Sequence, residues 1–255
     1  FYERKILKMS TCMSKRIKFF LSHLSISLII ALLVIGLVFF VWYPLPLAKA
    51  VGVTHIFLMV LTIDVIIGPV LGLLVYKESK KTLKFDLSVI ILIQICALVY
   101  GVYSIEQGRP AWLVYNVDRF ELVRKNEIIQ DNIAKALPQY QQSSWFKPQY
   151  VTVELSKDVN QRNNDMFAEV LAGVSLAQKP ERYVNFVQAK KQIQQHAQKL
   201  ELLQQYNNKI DVEKILAKYP QATAFLPMKA NAVDMTILID QQANVVKIVD
   251  LRPWH

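Results

Sequence analysis

Cysteine and histidine are scarce in this chain, and both shortages narrow what it can do. The two cysteines, Cys12 and Cys96, fall before the first long apolar run and inside the third, so the second half of the chain has no disulfide to rely on. The four histidines, His23, His55, His196 and His255, have no metal-ligand spacing and no cysteine beside them. A glycine-rich phosphate loop and a nucleophile elbow are both missing. The carboxylates Asp118, Asp240 and Asp250 fall at predicted strand ends, where turn and cap roles account for them. These absences argue against an enzyme and against a bound metal or cofactor.

A basic stripe is also lacking, despite a formal charge of +10. Through Tyr103 there are 11 Lys/Arg against 4 Asp/Glu, a net of +7, and the remainder carries 19 against 16, a net of +3. Most of the excess therefore flanks apolar runs, where it sets membrane orientation, and nucleic acid is not an expected partner.

What the chain has in abundance is long hydrophobic sequence. Leu21–Tyr43, Val53–Tyr76 and Leu87–Ile105 are each long enough to cross a bilayer. Trp42 and Tyr43 supply an aromatic anchor, Pro44-Leu45-Pro46 a stiff connection, and Asp86 an N-cap for the third span. A cleavable signal is the competing reading of the first run, with Ala48-Lys49-Ala50 as its site, but the run is longer than such signals and the site lies beyond two prolines. The tail and the loop after span two hold ten Lys/Arg, and the loop after span one only Lys49. That bias predicts a cytoplasmic N-terminus and puts everything after Ser104 on the other side, the periplasm in a bacterium.

The second span carries an expensive group, Asp64, close to its middle. Asp64, Gly68 and Gly72 recur every four residues and share a helix face, and Gly68-x-x-x-Gly72 is a spacing that admits a second helix closely. Pro69 predicts a kink and a freed carbonyl near Val65. Gln94 in span three lies at a similar depth, on a face with Ala97 and Gly101, so its amide could donate to Asp64. Three readings of this face stay open: an internal bond that fixes the bundle, a groove for another protein's membrane helix, and an ion path, for which no relay is evident.

Residues 106–255 read as a soluble α+β domain, an antiparallel sheet covered by helices, after a three-span region at 13–105 and a possible upstream extension at 1–12. Strands are predicted at Trp112–Val117, Arg119–Val123, Gln149–Leu155, Val233–Asp240 and Val245–Leu251. In the last hairpin, Val233, Met235, Ile237 and Ile239 alternate with polar or exposed positions. Helices are predicted at Asn126–Leu137, Asp165–Val174 and Pro180–Tyr206, with a short one capped by Asp211. The apolar stripe Tyr183, Phe186, Val187, Ile193, Ala197, Leu200 and Leu203 reads either as packing on the sheet or as a partner surface. A sensor is disfavoured, because the cytoplasmic side has too little chain to carry a signal.

Several short motifs fall together in a recognisable order. Trp42-Tyr43-Pro44-Leu45-Pro46, Asp64 with Gly68-Pro69, Lys84-Phe85-Asp86-Leu87, Gln94, Tyr100-Gly101, Arg109-Pro110 and Val117-Asp118-Arg119-Phe120 resemble the type IV pilin accessory proteins of the TfpX/TfpZ kind. The likeness is dense from Met13 to Val123 and general beyond. It implies a non-catalytic pilin chaperone or assembly factor in the bacterial inner membrane, with no catalytic residues to carry over. Its implied partners are the major type IV pilin, through membrane helix and periplasmic head, the lipid bilayer, and the pilus assembly platform. The groove expected for the pilin helix is Asp64, Gly68, Pro69, Gly72 and Gln94, and Asp118, Arg119 and Phe120 are candidates for contact with the head. The alternative is a structural subunit of the assembly platform that does not bind pilin.

Overall fold

A computed structural model describes residues 14–156 and 158–254, so the expected extension Phe1–Cys12 lies outside the described residues. The chain forms two compact units: residues through Leu37 with Thr54–Ile105, and Val38–Val53 with Glu106 onward.

Three helices are long and apolar enough to cross a membrane, Lys15–Trp42, Val53–Val75 and Leu83–Gln107. The first consists of α1 (Lys15–Gly36) and a π-helical stretch over Leu37–Trp42, and it begins where the Ser14 hydroxyl accepts from the Ile17 N–H. After it comes a short helix, α2 (Leu47–Val51), which ends on Gly52 at φ +80°. The second span comprises α3 (Val53–Thr62), a π-helical turn over Ile63–Ile67 and α4 (Gly68–Val75). The third is α5 (Leu83–Gln107). Asp86 is inside the first turn of α5 and not its cap: it takes a hydrogen bond from the Thr82 hydroxyl at 3.0 Å and an ion pair from Lys80 at 2.6 Å.

The second unit carries a mixed sheet ordered β4-β3-β1-β2-β6-β7-β8, with β5 on β6. Its strands are β1 (Pro110–Asn116), β2 (Arg119–Arg124), β3 (Gln149–Val153), β4 (Tyr183–Asn185), β5 (Gln198–Lys199), β6 (Ala224–Lys229), β7 (Met235–Ile239) and β8 (Val245–Val249). Five pairings are antiparallel, but β1–β3 and β2–β6 are parallel, because long irregular crossovers bring β3 and β6 back in the direction of their neighbours. Central strands are covered on both faces. Leu113 and Tyr115 of β1 join Phe120, Ile193, Met235 and Ile237 in one core, while Trp112 and Val114 join Val123, Tyr140, Val151 and Tyr183 in another. The alternation expected for β7 is absent for the same reason, since Thr236 and Leu238 are also buried.

The helices depart furthest from expectation. Asn126–Leu137 is not one helix but 3₁₀ turns at Lys125–Glu127 and Ile133–Lys135. Pro180–Tyr206 is broken into 3₁₀ turns, β4, helix α7 (Lys190–His196), β5 and a further 3₁₀ stretch. Its apolar side chains serve the sheet instead: Tyr183, Ile193 and Leu203 are buried, and only Val187 of the stripe is strongly exposed. The helix expected at Asp165 begins earlier, as α6 (Val159–Ala172), capped by Asp158. For α8 (Lys209–Leu216) the cap is Asn208, whose side chain accepts from the Ile210 N–H, and not Asp211.

Candidate functional site

Pro69 organises the middle of the second span. It has no N–H, and the turn before it is π-helical, so the carbonyl five residues back loses its donor. That carbonyl belongs to Asp64, one residue from where the kink alone would place it. The Gln94 side-chain amide fills the vacancy, donating to the Asp64 carbonyl at 3.1 Å. Gln94 therefore does reach Asp64, but at the backbone. Neither oxygen of the Asp64 carboxylate has a hydrogen-bond partner, and the residue is only 8% exposed.

The glycines explain how Gln94 gets so close. A Cβ on Gly68 would lie 1.5 Å from Gln94 Nε2, and one on Gly72 would lie 3.0 Å from the Phe19 ring and 3.4 Å from His23 Nδ1. Gly101 of α5 likewise leaves room for Val60. The small-residue face thus receives side chains of this chain's own first and third helices. Arg16 adds a hydrogen bond from its guanidinium to the Leu73 carbonyl at 2.7 Å.

Beside this seam is a half-open cleft of about 220 Å³ between the three helices. Its polar lining is His23, Ser27, Asp64 and Gln94, and its walls are apolar, including Ile30, Leu61, Ile91 and Leu98. Of the predicted groove residues, the structure brings Asp64 and Gln94 to the cleft and puts Gly68, Pro69 and Gly72 behind it in helix contacts. His23 went unselected by sequence reasoning, although an imidazole in an apolar span is the same kind of signal as Asp64.

In the second unit, Asp118 is exposed in the β1–β2 turn and Arg119 is half-buried at the start of β2, with side chains 55% and 40% accessible. Phe120 is wholly buried against Tyr115, Tyr150 and Phe186, so it supports the turn from within. Val117 has φ +57°, a conformation costly for a β-branched residue, and its carbonyl accepts from Tyr115 Oη and Gln192 Nε2, both at 2.8 Å. Next to the turn runs α6, which is inverted. Its inward residue is Asp165, paired with Lys179 at 2.9 Å and Arg182 at 3.3 Å, while Met166, Phe167, Val170 and Leu171 face solvent.

Among the described residues no group of three or more His, Cys, Asp or Glu could hold a metal ion. Burial pushes the Tyr150 hydroxyl up to about 12 and raises Tyr115 and Tyr183 as well, which keeps these phenols protonated.

The fimbrial assembly protein FimB family matches residues 12–52. Over 239 residues the chain is 30% identical to the fimbrial assembly protein of serogroup I from Dichelobacter nodosus, covering 90% of this chain and 92% of that protein. The serogroup E1 protein of the same organism is also 30% identical over 239 residues. A shorter relative, of serogroups C1 and C2, is 37% identical over 116 residues, 45% of this chain and 88% of its own length. No solved structure matches.

Proposed function

Since the chain belongs to the fimbrial assembly protein family, we propose that it is a non-catalytic assembly factor for type IV pili, a pilin-dedicated helper of the TfpX/TfpZ kind. It holds the pilin in the bacterial inner membrane before or during assembly. The observation that carries this reading is the cleft between the three spans: an apolar opening at membrane depth with a buried carboxylate that has no hydrogen-bond partner among the described residues. A partner helix could lie against the apolar rim of such an opening and place one side chain inside it.

The distribution of Lys and Arg supports a cytoplasmic N-terminus and a periplasmic second unit. At the C-terminal end of β1, the outward apolar face of α6 with Asp118 and Arg119 forms a second surface. We assign it to the globular head of the same pilin, because an inverted helix face this apolar is uncommon on an unbound surface.

Photo-reactive residues at Ile91, in the cleft, and at Leu171, on α6, test both surfaces in cells. The expected result is a pilin adduct from each position, with the α6 site alone reachable by a membrane-impermeant reagent from the periplasm. Adducts only to proteins of the assembly platform would favour the structural-subunit reading, and no adduct from Ile91 would remove the membrane groove.

A further inference from the structure

The cleft has a chemical preference that a merely apolar groove would not have. A carboxylate is acceptor-only when ionised, and both oxygens of Asp64 are shielded from water without a donor. The nearest amide, on Gln94, has already committed a donor to the Asp64 carbonyl. His23 and Ser27 complete the polar lining, and among the described residues no Lys or Arg lines the cleft. The π-helical turn over Ile63–Ile67 holds Asp64 at its edge, an arrangement often found where a helix is adapted to a ligand. An unpaired carboxylate in so dry a setting is costly, and the cost is removed by a donating cation.

Resting on the reading that a partner's membrane helix enters this cleft, we propose that the site recognises an ammonium or guanidinium group carried within that helix. Depth decides against a lipid headgroup. Asp64 is the midpoint of the 23-residue span Val53–Val75, about 16 Å of helix from either end at ~1.5 Å per residue, so an interfacial amine does not reach it. The apolar walls then take up the stem of the cationic side chain while Asp64 fixes the axial position of its helix, as a single polar contact fixes alignment in a helix pair.

The test uses the full chain in cells that make pilin, with the photo-reactive residue at Ile91. Asp64→Asn is expected to lower the adduct yield at least about tenfold, and Asp64→Glu to retain a substantial part of it. Peptide mapping of the wild-type adduct is expected to find a cationic group within one helical turn of the cross-link. A second measurement needs no variant: labelling of Asp64 by the apolar probe dicyclohexylcarbodiimide in membranes is expected without pilin and suppressed with it. If pilin is captured equally by wild type and Asp64→Asn, the groove stands and the cation is refuted. Labelling that pilin does not suppress, or a mapped segment with no cation, overturns the proposal even where Asp64→Asn fails to fold. If wild type captures no membrane helix, groove and cation fall together.

Discussion

Pro69 acts on a residue five positions before it. The missing N–H orphans the Asp64 carbonyl, the π-helical turn re-aims it, and Gln94 satisfies it from another helix. The pairing of Asp64 with Gln94 was legible in the sequence from matched depth. Which atom of Asp64 would be used was not, because a π-helical turn has no clear residue signature and shifts the orphan by one position. Gly68 is what lets this bond form. Gly68→Ala puts a methyl where Gln94 Nε2 now sits, so the expected outcome is loss of the bond and a lower melting temperature in detergent, by the equivalent of about 1–3 kcal/mol. Gln94→Leu should cost a similar amount, and the double variant no more than either, which thermal unfolding of the three proteins will show.

At the scale of elements, strands were easier to read than helices. Pro110–Asn116 and Arg119–Arg124 are dense in aromatic and β-branched residues, and the register pairs Asn116 with Arg119 across a two-residue turn. The long apolar stripe from Tyr183 to Leu203 deceived because helical spacing is also produced by alternating 3₁₀ turns and short strands that each turn a side chain to the sheet. The sequence predicts a helix from Asp165 but not which of its faces points inward. Ion pairs decide that: Asp165 is buried against Lys179 and Arg182, which costs the helix its apolar burial. Asp165→Ala leaves two half-buried cations without their counter-charge, and α6 should detach at a cost of about 3 kcal/mol. Hydrogen exchange checks it: protection should vanish from Val159–Ala172 and persist in β1 and β2.

Across the whole molecule, the membrane part was visible from composition, since three long apolar runs admit no other economical reading. The extent of the soluble unit was not. Its core takes in Leu47 and Ala50, from the loop between the first two spans, alongside Leu113, Phe120 and Met235. The clue was Gly52, whose positive φ closes α2 and whose Cβ would meet Ala232 at 2.9 Å. Glu127 ties distant parts of this unit together through Arg124 and Asn231 at 2.7–2.9 Å. Burial opposes its ionised form, but the bonds from Arg124 and Asn231 outweigh burial and hold the carboxyl below its ordinary value. The stabilisation is therefore complete above the unfolded value of about 4.3 and is lost as pH falls through the lowered folded one. Denaturant midpoints between pH 7 and pH 3 should fall for the wild type, and Glu127→Gln should start lower and lose less.

The Ala50 carbonyl accepts from the N–H groups of Ala232 and Val233, and Lys49 pairs with Asp250 at 2.6 Å. A ribosome makes these partners about 180 to 200 residues apart, on either side of two further membrane crossings. The fold can close only if both are delivered to the same compartment. A chain inserted with its first helix reversed would strand α2 across the bilayer, leave the core incomplete and expose it to proteolysis. Completion of the second unit therefore requires an even number of membrane crossings between α2 and β1.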